Sequence, residues 1–368
     1  MESQPAKHAQ RTASSTPAQW LEGIRRLADQ LPSGARLMEV CGTHTMAIAR
    51  HGLHSLLPPK IRLISGPGCP VCVTPTSYIN AAIELARRPD TVIATFGDMI
   101  KVPGSESSLE QEKARGARIA VVYSPYDAIN LATANPGSQV VFLAVGFETT
   151  TPATALAAIR ARSEGLKNFF LLTAHKLIPP ALRILLSDAE TRVDGFLLPG
   201  HVSVIIGARA YRFVADEFRR PCVVAGFEPL DILHAIAMLL TQMTQAQADV
   251  QIEYRACVSE QGNLAAQRRI AEAFQPCDTE WRGLGMLPAS GLTLKPEWAA
   301  LDAEKRFGLR MTPAADNPHC ACGNVLRGKV TPPDCRLFAK ACTPTYPIGP
   351  CMVSSEGTCA AYFKYRRQ

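Results

Sequence analysis

Two cysteines separated by two residues form a CxxC motif early in this sequence. They are Cys69 and Cys72, and Thr74-Pro75 predicts the start of a helix just beyond them. Thiols near the positive end of a helix lose their protons more easily, and such a pair can cycle between dithiol and disulfide. The same spacing also forms half of a zinc site, but the sequence has no second CxxC. We therefore expect a redox or metal-binding pair in which Cys69 is the exposed, reactive thiol and Cys72 resolves the disulfide.

Two further positions carry side chains that suit catalysis or metal binding. Cys41 is followed by Gly42 and His44, which makes this thiol a candidate ligand or nucleophile rather than simple core packing. His201 directly follows an apolar run and is a candidate general acid or base. The role of His175, which precedes Lys176, is left open.

The C-terminal part of the chain is rich in cysteine, glycine and proline and has little apolar periodicity. It contains six of the twelve cysteines, namely Cys320, Cys322, Cys335, Cys342, Cys351 and Cys359. A cluster of thiols in a segment that cannot easily build its own core indicates an iron–sulfur cluster or zinc. The spacing does not match the ferredoxin patterns, and spacing alone leaves both metals open.

The sequence pattern predicts that parallel strands alternating with helices position these residues. An opening helix over Trp20 to Leu31 is followed by eight continuous apolar runs, which are typical of strands buried on both faces. These runs are Arg36–Val40, Ile61–Ser65, Thr91–Phe96, Ile119–Tyr123, Val140–Val145, Phe169–Thr173, Gly195–Leu198 and Cys222–Ala225.

Most of the candidate residues directly follow one of these runs, and the carboxyl ends of parallel strands face a ligand crevice. The sequence therefore predicts an α/β protein with two lobes of mainly parallel sheet flanked by helices around a cleft, plus a Cys-rich C-terminal iron–sulfur domain. We expect a flexible extension over 1–20, a first lobe over 21–135, a second lobe over 136–250 and the C-terminal region over 251–368. A single eight-stranded barrel is the alternative architecture.

Composition and charge exclude several classes of function. The 368 residues carry 39 Lys and Arg against 32 Asp and Glu, and this net charge of +7 is modest for the length. No dense basic stretch indicates binding to nucleic acid or a membrane surface, and no apolar run approaches the roughly 18 residues that span a bilayer. The polar start has no signal-peptide core, and twelve thiols fit a reducing compartment. We expect a soluble cytoplasmic protein, monomeric when alone.

Several separated motifs resemble the HypD family of [NiFe]-hydrogenase maturation proteins. They cover nearly the whole chain after about residue 20, and they occur in the same order. The motifs are Met38–Thr45, Gly66–Cys72, Gly146–Thr154, Pro199–Ser203 and Cys342–Tyr365.

The resemblance implies a role in building the Fe(CN)2CO group of [NiFe] hydrogenases. HypD proteins form a complex with the chaperone HypC, and HypE delivers cyanide to the iron held there. By this resemblance Cys41 is an iron ligand shared with HypC, and Cys69 and Cys72 are a redox pair associated with the same iron. A [4Fe–4S] cluster is expected on Cys320, Cys335, Cys342 and Cys359, with Cys322 as an alternative first ligand.

The resemblance describes a redox-active assembly scaffold rather than a conventional turnover enzyme, and a relay of electrons from the tail cluster to the CxxC is one hypothesis. Two other functions stay open from the residues themselves. One is a general thiol–disulfide reductase that draws electrons from an iron–sulfur cluster. The other is a non-catalytic metal scaffold, which would keep its function when Cys69 is replaced.

Overall fold

A computed structural model describes residues 16–188 and 190–365. The predicted flexible extension over 1–20 therefore lies mostly outside the described residues, and the first helix already begins at Pro17. The helices are Pro17–Asp29 (α1), Gly42–Arg50 (α2), Leu53–Leu56 (α3), Pro70–Val73 (α4), Thr76–Ala86 (α5), Leu109–Ala114 (α6), Pro125–Ala134 (α7), Thr151–Ser163 (α8), Ile178–Ser187 (α9), Gly200–Ile206 (α10), Arg212–Asp216 (α11), Pro229–Thr244 (α12), Leu264–Ala273 (α13), Ala303–Phe307 (α14), Cys322–Leu326 (α15) and Thr358–Tyr365 (α16). Short 3-10 helices lie at Gly97–Lys101, Ala208–Tyr211, Pro296–Leu301, Pro332–Asp334 and Pro350–Met352.

The strands form two parallel sheets and one antiparallel hairpin. The strands are Ala35–Glu39 (β1), Ile61–Ser65 (β2), Thr91–Thr95 (β3), Ile119–Val121 (β4), Gln139–Gly146 (β5), Phe169–His175 (β6), Gly195–Pro199 (β7), Cys222–Ala225 (β8), Val250–Ile252 (β9), Phe274–Trp281 (β10) and Gly285–Leu294 (β11). The first sheet has the order β2-β1-β7-β8-β9, the second has the order β4-β3-β5-β6, and β10 pairs with β11. The prediction of a mixed α/β protein with mainly parallel sheets flanked by helices is confirmed.

Two separate parts of the chain form the first sheet. The chain leaves after β2, forms the whole second sheet, and returns to the first sheet at β7. The division predicted between 135 and 136 falls between β4 and β5, which belong to the same sheet, so it does not coincide with a division between the sheets. The alternative of one closed eight-stranded barrel is wrong, because these strands form two separate open sheets.

The strands are buried on both faces because helices cover both sides of each sheet. All eight side chains of β5 are at least partly buried, and Val140 through Ala144 are fully buried. Such continuous burial explains why the apolar runs carry no alternation of polar residues. Cys222 on β8 is likewise fully buried and packs in this core.

The C-terminal region contains a hairpin that the sequence analysis missed. Strands β10 and β11 are joined through Gly283 and Gly285, which adopt the left-handed backbone conformation with φ of 79° and 83°. The hairpin buries Trp281 completely and joins the second sheet through a bridge between Lys176 and Gly291. Within the described residues, no helix is both long enough and apolar enough to cross a membrane.

Candidate functional site

Cys41 lies at the end of β1, where the strand turns into α2. It is the residue that caps the N-terminus of this helix, and its side chain is buried. Burial raises the pKa of the Cys41 thiol to about 11, although hydrogen bonds from the backbone at His44 and Thr43 oppose the shift. The thiol therefore keeps its proton near neutral pH.

The CxxC loop packs directly on the Cys41 loop. The amide of Gly42 donates to the carbonyl of Gly68 at 2.9 Å. A Cβ atom at Gly68 would lie 2.2 Å from the backbone nitrogen of Cys41, so only glycine fits at this contact. The structure thus brings the Cys41 loop against the loop that leads into the CxxC.

The local structure of the CxxC differs from the expectation. A separate four-residue helix, α4, begins directly after Cys69, and the following helix α5 begins at Thr76 rather than at Thr74-Pro75. Cys69 is only 3% exposed and Cys72 is fully buried. The expectation that Cys69 is the exposed thiol is therefore wrong, because α4 turns both side chains into the core.

The two thiols of the CxxC differ in acidity. Burial raises the pKa of Cys69 well above its ordinary value, and its neighbour Cys72 adds to this effect. For Cys72 burial also opposes ionisation, but hydrogen bonds from the thiols of Cys351 and Cys69 outweigh it and lower its pKa. The more acidic member of the pair is therefore Cys72, and the cause is its thiol neighbours.

Cys351 lies between the CxxC and the cysteines of the C-terminal region. Its thiol interacts by side-chain hydrogen bonds with those of Cys322, Cys359 and Cys72. The Cys72 thiol also approaches the carbonyl of Pro350 at 3.9 Å. The sequence analysis gave Cys351 no role, since no spacing rule connects it with a CxxC almost three hundred residues earlier.

The six cysteines from Cys320 to Cys359 line one small cavity. The lining comprises Cys320, Cys322, Cys335, Cys342, Cys351 and Cys359, together with Phe338, Gly349 and Met352. The crowding of thiols is evident at Cys320, where burial and then the neighbouring Cys322 raise the pKa to about 12. The amide of Ile348 donates to the Cys342 sulfur at 3.3 Å. The cysteine ligands that the sequence analysis expected are thus gathered at one place.

No preformed site for a single metal ion exists in the described residues. Across 16–188 and 190–365, no group of three His, Cys, Asp or Glu side chains is arranged so that it could hold one ion. This holds for Cys41 with the CxxC as well as for the C-terminal cysteines.

Glu356 joins the C-terminal region to the Cys41 loop. Its Oε1 atom accepts a hydrogen bond from the Thr43 hydroxyl at 2.7 Å. A Cβ atom at Gly42 would lie 2.6 Å from the Glu356 Cβ, so the two segments are in close contact. The carboxylate acts electrostatically on Cys41, Cys69 and Cys72. The sequence analysis missed this residue, and its only signal was a polar Ser-Ser-Glu-Gly run after Cys351.

His201 lies at the start of α10, on the far side of an aromatic side chain from the Cys41 helix. Its ring stacks on Phe227 at 4.0 Å between centroids, and His44 packs against the same phenylalanine at 4.9 Å. The Nε2–H of His44 donates to the carbonyl of Gly226 at 2.9 Å. Burial lowers the pKa of His201, and it lowers that of His44 to about 4. Both imidazoles are therefore neutral near pH 7, and His201 remains exposed.

Three further buried polar residues lie at the ends of β5 and β6. Glu148 accepts a hydrogen bond from the Ile178 amide at 2.9 Å, and burial raises its pKa to about 7. His175 contacts the Thr154 hydroxyl at 3.3 Å. The ammonium of Lys176 donates to the Thr279 hydroxyl and to the Glu280 carbonyl, both on β10. These two hydrogen bonds position the hairpin.

Comparison with known proteins places these features in a family. The family model HypD, described as "Hydrogenase formation hypA family", matches residues 16–366. Hydrogenase maturation factor HypD2 of Bradyrhizobium diazoefficiens is 50% identical over 90% of both chains. Hydrogenase maturation factor HypD of Rhizobium leguminosarum bv. viciae is 50% identical over 94% of this chain and 91% of its own. Hydrogenase maturation factor HypD of Escherichia coli K12 is 46% identical over 95% of both chains.

Proposed function

The chain belongs to the HypD family of hydrogenase maturation factors, and from that premise we propose that it assembles the Fe(CN)2CO group of [NiFe] hydrogenases. In this proposal a HypC-type chaperone binds the chain, iron is the substrate held between the two proteins, and a HypE-type protein donates cyanide. Cys41 is the iron ligand that this chain contributes, with Cys69 and Cys72 associated with the same iron.

The observation that carries the proposal is a series of contacting thiols that leads from the CxxC to the cavity lined by the C-terminal cysteines. Cys69 contacts Cys72, Cys72 contacts Cys351, and Cys351 contacts both Cys322 and Cys359. Thiol–disulfide exchange requires sulfur atoms in contact, and this series gives each thiol a neighbour. The arrangement supports a redox role for the CxxC better than a packing role.

The donor set of the C-terminal region fits an iron–sulfur cluster. Thiolates are the ligands that hold such clusters, and the cavity offers more than the four that a [4Fe–4S] cluster needs. Cys320, Cys335, Cys342 and Cys359 would hold it, which leaves Cys322 and Cys351 as free thiols, and Cys351 contacts Cys72. When bound, the cluster would exchange electrons with the neighbouring thiols.

The redox step of the CxxC needs a partner for its electrons. Closing the Cys69–Cys72 disulfide releases two electrons and two protons, and opening it takes them up again. The electrons would pass to or from the cluster, one at a time, when the cluster is bound. Cys72 supplies the thiolate because its neighbours lower its pKa, whereas Cys69 keeps its proton until the bond forms.

Iron binding at Cys41 is expected to depend on the partner protein. No three ligand side chains are preformed for one ion in the described residues, so this chain alone offers an incomplete coordination shell. Ligands from a HypC-type chaperone and from the incoming cyanide and CO would complete it. This requirement agrees with a scaffold that releases its iron group rather than keeping it.

The first test replaces Cys351 by alanine and follows the redox state of the CxxC. The oxidised protein is reduced anaerobically with dithionite, and free thiols are trapped by alkylation and identified by mass spectrometry. Cys351→Ala is expected to keep the iron and sulfide of the tail, about four of each, while Cys69 and Cys72 become reduced much more slowly. Cys222→Ala, which removes another buried thiol, is the matched control and keeps the wild-type rate.

Wild-type reduction rates in Cys351→Ala would overturn the proposed series of thiols. Loss of iron and sulfide in that variant would instead make Cys351 a cluster ligand and contradict the ligand assignment. The iron role has its own readout, the infrared bands of cyanide and CO in the complex with a HypC-type partner. Those bands are expected to be absent from Cys41→Ala, and their persistence would contradict the ligand role of Cys41.

A general thiol–disulfide reductase is the less favoured alternative. Such an enzyme needs an accessible thiol to attack its substrates, but Cys69 is 3% exposed and Cys72 is fully buried. Rapid turnover of small disulfides without any partner protein would favour this alternative. A purely structural metal scaffold would instead keep full maturation activity in Cys69→Ser.

A further inference from the structure

The outer edge of β2 presents backbone groups that pair with nothing in the described part of the chain. The amide of Ala35 donates to the carbonyl of Lys60, and that of Gly66 donates to Glu39, which fixes the register of β1 and β2. In a parallel pair, alternate residues turn their N–H and C=O groups toward the neighbouring strand. Residues 62 and 64 therefore face β1, and Leu63 and Ser65 turn theirs outward. Since β2 is the edge of its sheet, these groups form an open hydrogen-bonding row.

A groove of about 470 Å³ runs along this edge. Its lining includes residues of β2 and the segment from Gly328 to Pro332 of the C-terminal region. Gly328 packs on Ile64 of β2, because a Cβ atom there would lie 3.1 Å from the Ile64 Cδ1. The groove therefore lies beside the edge at which a further strand would add.

The groove is positively charged. Arg62 is exposed and forms no ion pair in the described residues. Arg36 donates from its Nη2 atom to the carbonyl of Gly328 at 3.0 Å, but its buried Nε has no hydrogen-bond partner there. Asp334 also lines the groove, yet its carboxylate already accepts hydrogen bonds from the amide and hydroxyl of Thr331 at 2.7 Å each. The exposed guanidinium of Arg62 therefore favours a carboxylate on whatever binds in the groove.

The groove adjoins both parts of the candidate site. β2 leads directly into Gly66 and the CxxC loop, and Ser65 at its end lines the groove. Thr358, which precedes Cys359 in the chain, also lines it. A segment bound here would touch the chain next to the CxxC and next to the C-terminal cysteines.

We propose that this groove binds an extended, acidic segment of a partner protein, which adds to β2 as a further strand. Its backbone pairs with the outward N–H and C=O groups of Leu63 and Ser65, the mode by which extended peptides add to open sheet edges. A carboxylate side chain on the segment meets the exposed guanidinium of Arg62. The inference rests on the edge, the groove and its charge, and it does not depend on the iron chemistry proposed above.

The test uses the full chain and a short fluorescent peptide in which valine and glutamate alternate. Binding is measured by fluorescence anisotropy, and hydrogen exchange follows the amides of Leu63 and Ser65. We expect the peptide to bind and to slow exchange at both amides. Arg62→Glu is expected to weaken binding at least about tenfold through like-charge repulsion. Arg268→Glu, on an exposed face of α13 outside the groove, makes the same change in net charge and is expected to bind like the wild type.

Three comparisons separate strand addition from other occupants. A peptide methylated at its backbone nitrogens keeps its charge but cannot pair with β2, so equal binding of this peptide would overturn the proposal. Competition by free glutarate at the affinity of the peptide would make the groove a site for small anions and would also overturn it. A dimer of this chain in sedimentation that Arg62→Glu dissociates would show a second copy as the occupant, with the same consequence.

Discussion

Burial acts in opposite directions on the acids and bases around Cys41. It raises the pKa of Cys41 and of Glu148, and it lowers the pKa of His44 and His175, because in each case it disfavours the charged form. Cys72 departs from this rule because two thiol neighbours stabilise its thiolate. Among the buried thiols of the site, Cys72 is therefore the one whose pKa is lowered.

Alkylation of the metal-free protein against pH tests the special position of Cys72. Both Cys72 and Cys222 are fully buried, so they are matched in access. We expect Cys72 to react at lower pH than Cys222, whose pKa is raised by burial. In Cys351→Ala the Cys72 profile should move to higher pH, because a hydrogen bond to the thiolate is lost. Superimposable profiles for Cys72 and Cys222, read by mass spectrometry, would refute the assignment.

Glu148 is expected to make stability fall as pH rises. Burial raises its pKa from 4.5 to about 7, so between these values the unfolded chain has lost a proton that the folded chain keeps. Each rise in pH through this window favours unfolding. Glu148→Gln cannot ionise, so its unfolding free energy relative to wild type should increase by about 3 kcal/mol from pH 5 to pH 8.

Urea unfolding of the two proteins at both pH values checks this expectation. The buried histidines His44 and His175 act in the opposite direction, but they are present in both proteins and cancel in the comparison. An unchanged difference between the two pH values would mean that Glu148 is ionised in the folded protein.

The loops that follow the strands are held together by close backbone contact. Gly68 and Gly42 lie where the CxxC loop, the Cys41 loop and the C-terminal region meet, and a side chain at either position would collide with its neighbours. These contacts place the two loops more precisely than flexible side chains could. The strand ends thus fix the relative position of Cys41 and Cys69.

Gly68→Ala should separate these loops. Its Cβ would lie 2.4 Å from the Cα of Cys41, so the backbone must shift, at a cost of about 1–3 kcal/mol. We expect a lower unfolding temperature and faster alkylation of Cys69. Gly137→Ala is the control, because nothing lies within 4 Å of a Cβ there. Wild-type behaviour of Gly68→Ala in both measurements would contradict this packing.

On the scale of the whole molecule, the C-terminal region folds back onto the start of the first sheet. Its last helix α16 packs on α2, and the ring of Tyr362 meets that of His54 at 5.9 Å. The hydrogen bond from Thr43 to Glu356 joins residues 313 positions apart. The Cys41 loop and the cysteine cavity are therefore expected to respond to each other.

A double-mutant cycle measures this connection. Thr43→Val removes the donor and Glu356→Ala removes the acceptor of this hydrogen bond to a charged group, which is worth about 1.5–3 kcal/mol. The unfolding free energies, from denaturant titration, should therefore be non-additive by about this amount. The pair Thr133→Val and Glu356→Ala, with Thr133 on α7, should be additive within about 0.5 kcal/mol. Additivity in both pairs would argue against the coupling.

Local sequence patterns determined the elements and the chemical types of this protein. The eight apolar runs form β1 to β8. A strand that is buried on both faces is apolar at nearly every position, so its own sequence predicts it. The CxxC, the thiol-rich C-terminal region and the family were also evident from residue types and their order. These features depend on neighbours in the chain, so the sequence contains them directly.

Only the tertiary structure decided which elements meet. The return of the chain to the first sheet at β7, the contact of Cys351 with Cys72, and the reach of Glu356 to Thr43 all join distant positions. The acidity of the thiols followed the same rule: the short helix α4 buries Cys69, and neighbours from the far end of the chain lower the pKa of Cys72. Desolvation and hydrogen bonding depend on the groups that surround a side chain in space. The periodicity of one segment does not predict which distant residues those groups come from.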